Sequence, residues 1–209
     1  MDTEDVRLAV YRSFAGTGRA PEPGALDAEA LRALHEQRHV VLGTDGSIVM
    51  AHPFSAVPLG FSVMGRETLW WGGCAWDSFA LPHLLEDEPE VLVATRCPGC
   101  GAALAWSVGR EAPPAGEEVA HFLVPVAHIW DDVVHTCGHQ RLFCGESCVD
   151  SWLARTGNER GYVLDLPTLW RLARGWYAGR LERGYQRRDP SEAQEYFRAV
   201  GLRGPFWGL

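Results

Sequence analysis

The sequence predicts an α+β protein. A winged-helix-like module is expected over roughly residues 1–60, and a mixed sheet with flanking helices over residues 61–209. Three observations predict it. Two helical stretches near the N-terminus are followed by a hairpin signal. Beyond residue 60, short strand-like runs are interspersed with helical ones. Four cysteines fall in the order knuckle, hairpin, helix start, which is the arrangement of a treble-clef element.

Taken in order, residues 5–15 place Val6, Val10 and Phe14 on one face of a helix. Residues 16–24, with Pro21 and Pro23, read as a loop. Asp27 fits the N-cap of a second helix that buries Leu31 and Leu34. His39 to Leu42 and Ile48 to Ala51 then flank an Asp45-Gly46 turn. Helix, helix and hairpin make the winged-helix-like reading. Its second helix carries at least as many acids as bases, which argues against DNA binding.

The next stretch, His52 to Phe61, is extended and punctuated by Pro53 and Pro58. Thr68 to Trp71 reads as a strand running into Gly72-Gly73-Cys74. A helix is expected over 78–85, with a kink or early break at Pro82. Strands follow at 91–95, 103–108 and 120–126, then helices from Ser147, from Leu166 with Pro167 in its first turn, and from Ser191. The segment from Arg180 is arginine-rich.

Composition narrows the function. The 209 residues carry a net charge of −8, which disfavours general binding to nucleic acid or anionic membrane. Every one of the 19 basic residues is arginine. No apolar run is long enough to span a bilayer, and the acidic start (Asp2, Glu4, Asp5) is unlike a secretory leader, so a cytoplasmic protein is expected. In that setting six cysteines read as metal ligands or catalytic thiols rather than disulfides.

The stretch Trp70-Trp-Gly-Gly-Cys-Ala-Trp-Asp77 carries the first chemistry. On a helix, Cys74 and Asp77 share a face, giving a soft nucleophile with a proton carrier beside it. Three tryptophans and two glycines predict apolar walls and a closely approaching backbone. Cys97-Pro-Gly-Cys100 has the shape of a zinc knuckle, and Cys144 and Cys148 sit at a helix start. A structural Zn(II) held by Cys97, Cys100, Cys144 and Cys148 is therefore expected. That leaves Cys74 and Cys137 unpaired. His135 and His139 flank Cys137, where an imidazolium would help to hold a thiolate.

Together these residues resemble the organomercurial (alkylmercury) lyases. The Cys-x-x-Asp hallmark is matched by Cys74-Ala-Trp-Asp77, with Pro82 a few residues on. The middle cysteine is matched by Cys97 in Arg-Cys-Pro-Gly-Cys-Gly-Ala-Ala-Leu. A later cysteine is matched by Cys137-Gly-His139, followed by Phe143 and Trp152. The resemblance implies an alkylmercury-lyase-like core whose Cys74 and Cys137 bind Hg(II), the bound product, while Asp77 shuttles protons to carbon. It implies a small organometallic or apolar substrate, and cellular thiols that release the product. Thiolates suit a large, soft cation better than oxygen ligands do. Typical members have no metal knuckle; Cys100, Cys144 and Cys148 here restore one, which draws Cys97 into the zinc cage. Two other readings fit the residues: a homologue acting on another small organic metabolite, and a non-enzymatic metal-binding or metal-sensing protein.

Overall fold

The computed structural model describes residues 2–22 and 24–209; Met1 and Pro23, the latter part of the expected loop, lie outside the described residues. Helix α1 (Thr3–Thr17) buries Val6, Val10, Tyr11 and Phe14 and ends at Gly18, whose φ of 70° supplies the left-handed cap. Helix α2 (Ala28–Glu36) is capped by Asp27, whose carboxylate accepts the Ala30 N–H. Strands β1 (Val41–Leu42) and β2 (Ile48–Ala51) form the expected hairpin. Strands β3 (Phe54–Ser55), β4 (Phe61–Met64) and β5 (Leu69–Gly72) follow, then helix α3 (Ala75–Leu84). Strands β6 (Glu90–Arg96) and β7 (Ala103–Gly109) pair along their whole length. The remainder is β8 (Val119–Phe122), α4 (Val133–Gly138), β9 (Gln140–Phe143), α5 (Glu146–Thr156), β10 (Tyr162–Asp165), α6 (Leu166–Trp176) and α7 (Pro190–Ala199).

The strands form two sheets, ordered β1-β2-β3-β5-β4-β6-β7 and β10-β8-β9. The sequence reading of a mixed sheet is corrected here, because every strand pair is antiparallel. Most neighbours in the large sheet are joined by short turns, and short turns join antiparallel strands. The β1–β2 hairpin also continues into the large sheet through β3. No helix is long and apolar enough to cross a membrane among the described residues.

Helix α3 is the buried spine of the molecule. All but one of its ten residues are buried, so it is apolar nearly all round. It contacts α6 and strands of both sheets. Trp76 Nε1 donates to the Leu172 carbonyl of α6 at 3.2 Å, fixing the two helices together. Pro82 lies in its last turn, and the helix stops two residues later, in line with the expected early break. The Arg110 guanidinium donates to the carbonyls of Pro82 and Leu85, satisfying that end.

Upstream, Trp70 Nε1 donates to the Phe14 carbonyl at 2.8 Å and pins β5 against α1. Trp70 is almost fully buried. Trp70→Phe is expected to lower the free energy of unfolding by about 1–3 kcal/mol, through lost packing and a lost buried hydrogen bond. Urea denaturation checks this; a loss below about 0.5 kcal/mol would place the tryptophan outside the structural core.

Candidate active site

The site begins where β5 meets α3. Gly72 and Gly73 permit a close approach that no side chain would allow. A Cβ at Gly72 would lie 2.0 Å from Ser78 Oγ, and one at Gly73 would lie 2.3 Å from Asp77 Oδ2 and 2.6 Å from Met50 Cε. Cys74 is the N-cap residue rather than part of the helix, and its sulfur accepts the Asp77 N–H at 3.4 Å. The sulfur thus takes the place of the usual Ser or Asp oxygen. Ser78 Oγ donates back to the Cys74 carbonyl at 2.7 Å. Cys74 and Asp77 do lie together, through a capping turn rather than a shared helix face.

Asp77 is fully enclosed. Tyr177, at the C-terminus of α6 and 100 residues away, donates its hydroxyl to Asp77 Oδ1. Oδ2 is buried and has no protein partner. The Cys74 sulfur lies beside this carboxylate, held there by the Asp77 N–H. Burial is the strongest influence on Asp77 and pushes its pKa up to about 7, against the opposing pull of Tyr177, Cys74 and the Arg180 charge.

Cys137, in α4, completes the group. It is buried, lines the same cavity as Cys74, and its Sγ lies 3.3 Å from His52 Nε2. His52, Asp77 and Cys137 place their ligating atoms within 4.8 Å of one another. Burial, Cys137 and Asp77 hold the Cys74 thiol well above its ordinary pKa. Cys74 lowers Cys137, but burial and Asp77 outweigh it and leave Cys137 raised. Burial, with Arg180 and Arg187, takes His52 down to about 3. At neutral pH the group therefore contains two thiols, a neutral imidazole and a carboxyl close to half-protonation.

The imidazole at Cys137 differs from the expected one. His135 and His139 stack on each other with ring centroids 4.1 Å apart, and the histidine that meets the sulfur is His52, 85 residues away. The tryptophan walls also differ from expectation. Strand alternation sends Trp70 into the core and Trp71 to the opposite face of β5. Of the three, only Trp76 lines the cavity; Trp130 and Trp176 supply the other indole walls. The cavity measures about 450 Å³ and contains Cys74, Asp77, Cys137, His52, Tyr177 and Arg180 in its lining. Arg180 is buried, donates to the His52 carbonyl at 2.7 Å, and lies 4.7 Å from the Tyr177 ring centroid.

The other four cysteines form a separate group. Cys97 and Cys100 lie in the β6–β7 turn, and Cys144 and Cys148 at the start of α5. Their sulfurs all lie within 4.8 Å of one another, with Cys100 and Cys144 3.5 Å apart. Gly99 lets the two segments meet, since a Cβ there would lie 2.4 Å from the Cys148 carbonyl oxygen. Burial raises the Cys97 thiol, but the N–H groups of Cys100, Cys144 and Gly99 outweigh it and bring it down to about 7. Sequence spacing divided the six cysteines into these two groups and placed Asp77 with Cys74, but did not identify His52, Tyr177 or Arg180. No local pattern marks those three.

The model of the alkylmercury lyase (MerB) family matches residues 54–178, more than half of the chain. Among solved structures the chain is similar to the mercury-bound form of MerB2, with a TM-score of 0.61 and 17% sequence identity over 82% of this chain and 88% of that one. At that identity the likeness is one of fold. No curated protein matches the chain.

The Asp77 carboxyl gives the site a pH signature. Its pKa in the folded state lies above its ordinary value of 3.8, so folding binds a proton between about pH 4 and pH 7. The stability this contributes is complete below that window and is lost as pH rises through about 7. The stability of the wild type relative to Asp77→Asn should therefore fall between pH 4 and pH 8, by on the order of 1–4 kcal/mol. Chemical denaturation across pH reads it; a constant difference would mean that Asp77 is not held as described.

Proposed function

This chain belongs to the alkylmercury lyase family, and from that premise we propose that Cys74, Asp77 and Cys137 are the residues with which it cleaves carbon–mercury bonds. The observation that carries this is the enclosure of two buried thiols and one raised-pKa carboxyl in the lining of a single cavity. A metal sensor has no use for a proton donor at that position.

The chemistry balances on these groups alone. An organomercury cation and two thiols yield a hydrocarbon, a neutral mercury bis-thiolate and one proton. As Cys74 and Cys137 take up mercury, each thiol gives up its proton. Two sulfur ligands raise the electron density on mercury and weaken its bond to carbon. Asp77 receives a thiol proton and delivers it to the leaving carbon through Oδ2, the oxygen that no protein group occupies. Tyr177 holds Oδ1, so the carboxyl keeps its orientation while Oδ2 works. His52 Nε2 is hydrogen-bonded to the Cys137 sulfur and orients it in the cavity wall. Trp76, Trp176 and Phe197 offer apolar walls to the organic group. Cellular thiols then remove Hg(II) by exchange. Such chemistry fits a reducing, cytoplasmic compartment.

Zinc belongs to the second group of cysteines in this reading. A tetrahedron with Zn–S bonds of about 2.3 Å has sulfur–sulfur edges of about 3.8 Å, which the four clustered sulfurs fit. Cys97, Cys100, Cys144 and Cys148 would hold the ion, which would tie the β6–β7 turn to α5 as a treble-clef-like element. Residues 1–60 are read as winged-helix-like, with His52 lent to the cavity, and residues 61–209 as the catalytic core.

Two experiments test the assignment. Cys74→Ser and Cys137→Ser are each expected to remove nearly all release of benzene from phenylmercury, followed by gas chromatography. Asp77→Asn is expected to keep binding the mercurial yet release no benzene; wild-type turnover in that variant would refute the proton role. Elemental analysis of protein prepared without chelators is expected to find about one zinc per chain, and Cys100→Ser to lose both the zinc and part of the thermal stability. Zinc at trace level would overturn the metal assignment without touching the cavity.

A further inference from the structure

The cavity carries more space and more charge than the bond cleavage itself uses. Its 450 Å³ would be left mostly open by methylmercury, which has two heavy atoms. Four arginines, Arg38, Arg180, Arg187 and Arg188, line it against two carboxylates, Asp77 and Asp189. This positive lining belongs to a chain whose net charge is −8. Among the described residues, none of the four has a carboxylate within 4.0 Å. Asp189 is committed to capping α7, where it accepts from Ser191 and Glu192.

The four arginines divide by what their donors already do. Arg180 is spent on the His52 carbonyl and the hydroxyls of Tyr11 and Tyr185, though its buried Nε has no partner. Arg188 is spent on the carbonyls of Gly175 and Trp176. Arg187 makes one bond, to the Gln37 carbonyl at 3.3 Å, and is half-buried. Its guanidinium stands 4.8 Å from the ring centroid of Trp130, and that of Arg38 stands 5.6 Å from the same ring. Stacking on the indole holds a guanidinium in place while leaving its in-plane donors free. The free cationic donors of the cavity are therefore Arg187 and Arg38, both against the Trp130 wall.

We propose that this cavity takes organomercurials presented with a carboxylate, and that Arg187, assisted by Arg38, binds that carboxylate. A planar guanidinium fork matches a carboxylate in a way that no neutral substituent can. The proposal rests on the cleavage reading and adds a substrate class to it. The carboxylate has two possible sources: the organic group bonded to mercury, or the thiolate that carries the mercurial into the site.

The test offers phenylmercury and 4-carboxyphenylmercury, each as its complex with neutral 2-mercaptoethanol or with anionic mercaptoacetate. A carboxylate in the right position is expected to raise kcat/KM by about tenfold or more, mainly through KM. A gain with 4-carboxyphenylmercury places the anion on the organic group, and a gain with mercaptoacetate places it on the carrier thiol. Arg187→Met is expected to bring the ratio close to one, while Arg203→Met, at an exposed arginine that does not line the cavity, keeps it. Ratios near one in the wild type, or a preference that survives Arg187→Met, overturn the proposal. If no arene is released from any complex, the cleavage reading fails and binding alone decides the anion site. Benzoate is then expected to change the tryptophan fluorescence of the wild type and not of Arg187→Met, and the absence of a wild-type change overturns the site.

Discussion

A carboxylate buried beside two thiols is the constraint that the rest of the molecule serves. Asp77 is buried away from bulk solvent, and an unsatisfied buried carboxylate would neutralise or unfold its surroundings. The protein meets this from three directions. The Tyr177 hydroxyl arrives from the end of α6, the Cys74 thiol from the capping turn, and the Arg180 charge from the tail. Each needs a fixed backbone. The Trp76–Leu172 bond sets α3 against α6, and Gly72 and Gly73 let β5 pass close to the first turn of α3. The result is a carboxyl poised near neutrality, with one oxygen held and the other buried without a partner.

The six cysteines are divided by topology rather than by type. Cys74 and Cys137 are drawn together at the inner end of α3, in surroundings that disfavour the thiolate. Cys97, Cys100, Cys144 and Cys148 gather where the β6–β7 turn meets the start of α5, and there backbone N–H groups support the sulfur of Cys97. A thiol kept neutral until a soft cation arrives suits proton-coupled chemistry. A sulfur already supported as an anion suits a resident metal. Cys97, which the sequence matches to the family's middle cysteine, lies in the second group.

What could be read from the chain was local. The Cys-x-x-Asp spacing, the knuckle and the Asp27 cap depend on residues a few positions apart, and short-range geometry fixes them. The second partner at each of these sites comes from far along the chain. His52 lies in a Pro-punctuated extended segment with no motif around it, and Tyr177 follows a helix whose end could not be placed to one residue. Arg180 opens an arginine-rich stretch with no motif to mark it, yet it is buried among Tyr11, Tyr177 and Tyr185. Adjacency to Cys74 suggests Trp71 as a wall of the site, but the two-residue period of a strand turns it away. Strand β10, with only four residues, was too short to register against the helix that follows it.

The central claim is that mercury ends on Cys74 and Cys137 rather than on the four clustered cysteines. X-ray absorption at the mercury edge, on protein frozen after a single turnover of phenylmercury, tests it most directly. The account predicts mercury bound by two sulfurs and no carbon, a signature abolished by Cys74→Ser or Cys137→Ser and kept in Cys100→Ser. A signature that survives in both active-site variants and disappears in Cys100→Ser would place mercury in the cysteine cluster and contradict the account.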